Sequence, residues 1–363
     1  MIRIKRFIDC YIPTETCNLR CHYCYITQKR KFNNKLASFS HSIDDIKKAF
    51  SFERMGGVCL INFCAGGETL LSNEVLPLVE QLINEGHYVM IVTNGTVTER
   101  FIEISNYSEF VKSHLFIKFS LQYLELLRKG WLDKFSENVK IMRDNKVSFT
   151  VEVTPSDELI PHIEELKKYC MQNFGALCHV TIARDDRTDG IDVLSKLDFN
   201  TYKTIWNQFD SSMFKFKSDI FYKKRNEFCY AGDWSLSVNI ETGQIRQCYC
   251  GKIIGNLYDF SKPISFAAIG KKCELAHCFN GHAFLTLGTI PELETITYAD
   301  TRNRICLDGT EWLQPEIKEM MESKLNQANI EYSAFKKWKV SSNHSFSKIL
   351  HNALRKGKHI LKR

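Results

Sequence analysis

The sequence predicts an α/β fold on a parallel sheet, followed by a smaller α+β unit, and three observations carry that expectation. Short β-branched and aromatic runs alternate with amphipathic segments through the first half of the 363-residue chain, the pattern of repeated βα units joined by right-handed crossovers. A hydrophobic fraction of 44% supports sizeable cores at this length. Beyond residue 226, Trp234-Ser235-Leu236-Ser237-Val238-Asn239-Ile240 alternates with period two, turns at Glu241-Thr242-Gly243 and returns from Gln244 to Tyr249, which predicts a β-hairpin.

Six strands are expected, at 7–11, 58–64, 88–92, 115–121, 147–153 and 179–183. Helical spacing of apolar residues fills the gaps: 43–52 with Ser42 as N-cap, 73–84 ended by Gly86, 99–105, 132–144 and 158–173. Residues 186–226 carry charge and aromatics with few strand signals and read as a helical connection.

The net charge of +7 is not spread over the chain. Residues 336–363 carry nine Lys or Arg and no Asp or Glu, so the preceding residues are slightly acidic. A uniformly basic surface for nucleic acid is therefore not expected. In the tail, Phe346, Ile349, Leu350, Ala353, Leu354, Ile360 and Leu361 recur at helical spacing between Lys348, Arg355, Lys356, Lys358, Lys362 and Arg363. That pattern suits a basic amphipathic helix on an anionic membrane surface; a solvated terminus is the competing reading, favoured by Gly357. No stretch approaches the roughly 18 to 20 apolar residues of a membrane span, and the start lacks a secretory signal. A cytoplasmic protein is expected, peripheral at the inner membrane face through its tail.

Fourteen cysteines in a long chain without an export signal favour reduced, metal-binding thiols. Cys10, Cys59, Cys170, Cys178 and Cys306 are isolated and expected to be buried packing residues. Cys17, Cys21 and Cys24 fall within eight residues, one thiolate short of a closed zinc or iron-sulfur site. Phe63-Cys64-Ala65-Gly66-Gly67-Glu68 ends a predicted strand in two glycines and an acid, where the backbone can approach a ligand and expose its amides. Val92-Thr93-Asn94-Gly95-Thr96 ends the next strand. In a wound or barrel sheet, the loops after strands one, two and three share one rim, where ligands bind.

Cys17-x3-Cys21-x2-Cys24, followed by Gly66-Gly67-Glu68 and Thr93-Asn94-Gly95, resembles the radical S-adenosylmethionine (radical SAM) superfamily over roughly residues 5 to 185. The resemblance implies a partial (β/α)6 barrel over 1–185, the connection 186–226, a small α+β auxiliary iron-sulfur domain over 227–335, and the tail 336–363. It implies a [4Fe-4S] cluster on the three cysteines, chelated at its fourth iron by the amino and carboxylate groups of S-adenosylmethionine. Tyr23 would pack the adenine, and Gly66, Gly67 and Glu68 would receive the methionine amino group, with Thr69 standing where relatives often have proline. Thr93 and Asn94 join this cofactor set, and Ser120, Glu152 and Arg184 are placed for ribose and carboxylate contacts. A one-electron reductant such as flavodoxin or ferredoxin is the implied partner. A zinc knuckle completed by His22 is the competing reading of the loop.

Cys229-x13-Gly243-x4-Cys248, with Cys273-x4-Cys278 after it, is similar to the auxiliary-cluster modules called SPASM and twitch. That similarity implies one auxiliary [4Fe-4S] cluster on Cys229, Cys248, Cys273 and Cys278, with Cys250 as a substitute ligand. Zinc on the same four thiolates remains the alternative. Cys250 or Cys306 is a candidate hydrogen donor to a substrate radical, and His282, Asp300, Arg302 and Arg304 are candidates for contacting an anionic or hydroxyl-rich substrate. The expected activity is oxidation or epimerisation of a carbohydrate or nucleotide sugar, as in surface-polysaccharide assembly. A ribosomally made peptide is the alternative substrate, modification of transfer RNA is a third, and a non-catalytic metal-binding scaffold is the alternative of another class.

Overall fold

A computed structural model of the chain describes residues 3–342 apart from 37, 250 and 272. The substitute ligand Cys250 and the amphipathic pattern of the tail from residue 343 onward lie outside the described residues.

Six parallel strands, β1 (Arg6–Ile12), β2 (Cys59–Ala65), β3 (Tyr88–Thr93), β4 (Leu115–Leu121), β5 (Ser148–Val153) and β6 (His179–Val180), lie side by side in chain order. A separate two-stranded ribbon, β7 (Arg184–Asp185) with β8 (Asp192–Val193), follows. Then β9 (Ser235–Asn239), β10 (Gln244–Arg246) and β11 (Ile253–Asn256) extend the main sheet beyond β1. The hairpin is thus continuous with the core sheet: β9 runs parallel to β1, with Asp9 opposite Ser237, and β10 and β11 pair antiparallel. The nine strands form an open sheet, α/β in class, with helices crossing between the parallel strands.

Three expectations need correction. The sixth strand is two residues long, because Ile182 and Ala183 are buried without continuing the ladder. The helix expected at 158–173 starts as a 3-10 turn, Asp157–His162, since Pro161 has no amide to donate, and becomes α-helical only at Ile163–Phe174. Similarly, Ile43–Ala49 stops before Ser51 and a second short helix, Phe52–Met55, closes at Gly56. The Ser42 cap is present, its side chain accepting from the amide of Asp45.

The two faces of the sheet differ. Ile8, Ile61, Ile91, Ile117 and Val151 pack under the helix layer in one large apolar cluster. On the opposite face the inward positions change character along each strand. Near the N-terminal ends stand Phe7, Leu60, Tyr88, Met90 and Phe116, plugged by Trp234, Phe284, Tyr298 and Ile317 from the second half of the chain. One step further come Asp9, Asn62, Lys118 and Glu152, charged and polar groups in strands that are otherwise apolar. The C-terminal half therefore fills the lower part of the concave face and leaves a polar upper part.

Trp234 is 1% exposed and stacks on Tyr230 with ring centroids 3.8 Å apart. Trp234→Ala should destabilise the protein by about 3 to 5 kcal/mol, measured as the shift of the urea unfolding midpoint at unchanged slope.

Candidate active site

The turn after β2 is stitched to the segment leading into the cysteine loop. The amide of Gly66 donates to the carbonyl of Ile12 at 3.1 Å, that of Gly67 to Thr14 at 2.5 Å, and that of Glu68 to Thr16 at 2.9 Å. A Cβ on Gly66 would lie 2.6 Å from the Thr14 oxygen, and one on Gly67 only 1.9 Å from the Thr16 oxygen, so neither position admits a side chain. The expectation that these glycines expose their amides is therefore corrected. Their amides are spent on the chain, and the polar groups left on the turn are carbonyl oxygens, of which that of Gly66 already accepts from the Tyr25 hydroxyl at 3.0 Å. Thr69, the departure from proline, has its own work: its hydroxyl accepts the amide of Ala65 at 3.1 Å.

Glu68 is a clamp. It is buried, and its carboxylate accepts from the amide of Leu70 (2.9 Å), the hydroxyl of Thr93 (2.6 Å) and the amide of Asn94 (2.7 Å). The ends of β2 and β3 are thereby locked together. Burial raises its pKa, and these three donors oppose the rise. Asn94 extends the lock to the cysteine loop, its side-chain amide donating to Asn18 at 2.8 Å and lying 3.7 Å from the Cys17 sulfur.

Cys17, Cys21 and Cys24 line one cavity together with Gly66, Gly67, Glu68, Thr93, Asn94, Ser120 and Gln122. Burial pushes the Cys17 thiol up to about 11, with the nearby Glu68 carboxylate adding to it. Burial also raises Cys21, helped by its two neighbouring cysteines, and Cys24, where the amides of Ile26 and Thr27 oppose the rise. Three thiolates this close repel one another, and bound iron would supply the positive charge that keeps them ionised. Soft sulfur ligands on one wall, a cradle without Cβ atoms and carbonyl acceptors beside it fit an iron-sulfur cluster carrying S-adenosylmethionine. His22 turns outward, its Nε2 lying 2.9 Å from the Glu158 carboxylate.

The expected residues divide accordingly. Tyr23 is not in the cavity wall; it donates to the side-chain oxygen of Gln122, which is. Glu152 and Arg184 also lie outside the lining: Glu152 pairs with Lys118 at 3.1 Å and Arg302 at 2.9 Å, and Arg184 reaches the Phe279 carbonyl at 3.4 Å. Gln122, Asn18 and Lys118 were not foreseen.

Cys229, Cys248, Cys273 and Cys278 line a second cavity with Tyr249 and Phe279. Burial pushes Cys229 up to about 12, and Cys248 and Cys273 add to the rise. Cys278 is raised well above its ordinary value by burial and by the other three thiols. Among the described residues no group of three or more His, Cys, Asp or Glu side chains is arranged to hold a metal ion. The four thiols line the wall of a space rather than closing on a point. Cys10, Cys59, Cys170, Cys178 and Cys306 are buried as expected. Cys306, however, lies against the Phe174 carbonyl at 3.3 Å in the apolar core, which removes it as a hydrogen donor at either cavity.

Residues 11–172 match the family model described as the radical SAM superfamily. Residues 11–172 thus carry a radical SAM domain. Among curated proteins, the chain is 31% identical over 90 residues to 7-carboxy-7-deazaguanine synthase of Thermoplasma acidophilum, covering 25% of this chain and 39% of that one. It is 32% identical over 84 residues to the S-adenosylmethionine-dependent nucleotide dehydratase of Selenomonas ruminantium, covering 23% and 28%. The chain thus spans less than two fifths of the length of these relatives. The crystal structure of Streptococcus suis SuiB bound to precursor peptide SuiA shares the fold, with a TM-score of 0.50 at 15% identity over 72% of this chain and 64% of that one.

Gly67→Ala should sever the turn from the cysteine loop. Anaerobic reconstitution of this variant is expected to recover about four fewer irons per chain than the wild type, by colorimetric iron determination.

Proposed function

We propose that this chain is a radical SAM enzyme holding one auxiliary [4Fe-4S] cluster, and that it oxidises or epimerises a carbohydrate or nucleotide sugar. The observation that carries the reading is the gathering of the three loop cysteines, the glycine turn and Asn94 around one cavity. The four later cysteines around a second cavity support an auxiliary cluster of the SPASM or twitch kind. When bound, S-adenosylmethionine on a reduced cluster supplies a 5′-deoxyadenosyl radical that takes a hydrogen atom from the substrate.

The residues have separable tasks. Cys17, Cys21 and Cys24 hold the cluster, with the Asn94 amide beside the Cys17 sulfur moderating its charge. The Gly67 carbonyl and the second lone pair of the Gly66 carbonyl, whose first accepts from Tyr25, would receive the methionine ammonium, while Glu68 keeps the turn and the β3 end in place. Tyr249 stands between the two halves. It lines the second cavity, accepts from the Asn280 side chain and donates to the Asp9 carboxylate on β1, which puts polar groups on the core sheet beside the later cysteines. A hydroxyl-rich substrate suits such a surface, since each exposed donor and acceptor can be matched.

Anaerobic reconstitution should give about eight irons per chain and, with dithionite, 5′-deoxyadenosine detected by mass spectrometry. Replacing Cys17, Cys21 and Cys24 by Ala should abolish that product, and replacing Cys229 and Cys278 by Ala should lower the iron to about four. Bound zinc, or no cleavage by the wild type, would point to a scaffold instead. Nucleotide sugars should stimulate 5′-deoxyadenosine formation more than ribosomal precursor peptides do.

A further inference from the structure

The polar upper part of the concave face carries more positive charge than it balances. Lys118 and Arg302 meet on the single carboxylate of Glu152. Lys217, on the helix Ser212–Ile220, donates to the Thr181 hydroxyl at 2.5 Å, and its charged neighbours are Arg184, Glu152, Lys118 and Arg302. Lys217 is 5% and Arg302 1% exposed. The other acid on this face, Asp9, is occupied by Asn62 at 2.7 Å and by Tyr249, with Arg184 as its cationic neighbour. The buried Lys217 and Arg302 and the partly exposed Lys118 therefore share one carboxylate among the described residues, and burial with the neighbouring cations lowers Lys217 to about 7, a sign that the cluster holds more positive charge than it balances.

Orphaned polar atoms lie around the same cations. Thr150 Oγ1, Ser218 Oγ, His282 Nδ1 and Arg302 Nε are sealed from solvent and have no hydrogen-bond partner. Thr150 stands opposite Lys118 in the β4–β5 ladder, Ser218 follows Lys217 on its helix, and the charged neighbours of His282 are Lys217, Arg302, Lys118 and Arg184. Buried polar groups in native proteins are nearly always satisfied, so four orphans around surplus charge mark a place for a ligand. A ligand that answers clustered cations and several hydrogen-bond donors at once, and that favours the charged form of Lys217, is a dianionic oxyanion.

We propose that Lys118, Lys217 and Arg302, with His282 and Ser218, form a subsite for a phosphoryl group of the substrate. The role of the bound molecule as substrate rests on the radical SAM reading above; the affinity for phosphate does not. Ser120, in the wall of the first cavity, is in register with Glu152, and Tyr249, in the wall of the second, is bonded to Asp9. A phosphoryl group anchored here would hold the attached sugar between the two thiol sets.

Thermal unfolding of the reconstituted protein, followed anaerobically with inorganic phosphate, pyrophosphate, malonate or chloride at matched ionic strength, tests the assignment. Phosphate or pyrophosphate should raise the midpoint by several degrees, and malonate and chloride should not. A phosphomonoester site favours phosphate, and a nucleoside diphosphate site favours pyrophosphate. Lys217→Gln and Lys118→Gln should weaken the effect at least tenfold in anion concentration, and Lys217→Arg should restore it. If one glutamine variant does not fold, the other decides. No phosphate-dependent rise in the wild type, an equal rise with malonate, or an undiminished rise in a folded glutamine variant overturns the proposal. The same wild-type sample assayed for 5′-deoxyadenosine keeps the two readings apart. Cleavage without a phosphate effect defeats only the subsite, and a phosphate effect without cleavage defeats only the radical reading.

Discussion

Three backbone hydrogen bonds, from Gly66, Gly67 and Glu68 to Ile12, Thr14 and Thr16, are the constraint on which the candidate site depends. They carry the pairing of β1 with β2 beyond the regular strands and deliver Cys17 to a fixed place beside the turn. The approach is so close that a single methyl group at residue 67 would collide with the Thr16 oxygen. Glu68 then ties the same turn to Thr93 and Asn94 at the end of β3, and Asn94 returns to the cysteine loop through Asn18. The loop, the turn and two strand ends form a closed circuit of bonds, which is how a short loop of thiols keeps its shape without a core of its own.

Burial controls the electrostatics at both thiol sets. Desolvation is the first cause of every raised cysteine, and mutual repulsion adds to it. Such thiols are poor nucleophiles in the free chain, because the ionised form is held at a disadvantage. A metal cluster reverses that balance by bringing its own positive charge. Glu152 is the opposite case: burial would raise it, yet Lys118, Arg302 and Lys217 outweigh that effect and hold it down at about 2.

Much of this was legible in the residues, for identifiable reasons. The alternation in Leu115–Leu121 and the helical period of Leu132–Asp144 gave bounds that the structure reproduces, because local pattern and burial agree there. The cysteine spacing, the glycine turn and Thr93-Asn94 converge as strand order required. What remained hidden is what depends on partners distant in the chain. Nothing within Gly66-Gly67 says that its amides are consumed by residues some fifty positions earlier, and nothing in the hairpin says that it will pair with β1. The charged cluster had a signal of which Glu152 is only one part: Asp9, Lys118 and Glu152 each interrupt a strand of mostly buried apolar residues, an expensive placement unless a partner or a ligand compensates for it.

The pairing of β9 with β1 also bears on how the chain can be divided. A radical SAM core that ended before the hairpin would leave β1, seven residues long and almost wholly buried, as a naked edge. Its free amides and carbonyls would form a template for strands of other copies, the hazard that natural sheets avoid by covering or charging their margins. In this chain the later cysteine segment is also the cover of that margin. The C-terminal half is thus bound to the core by the need to cover β1, and removing it would call for a substitute strand at that margin.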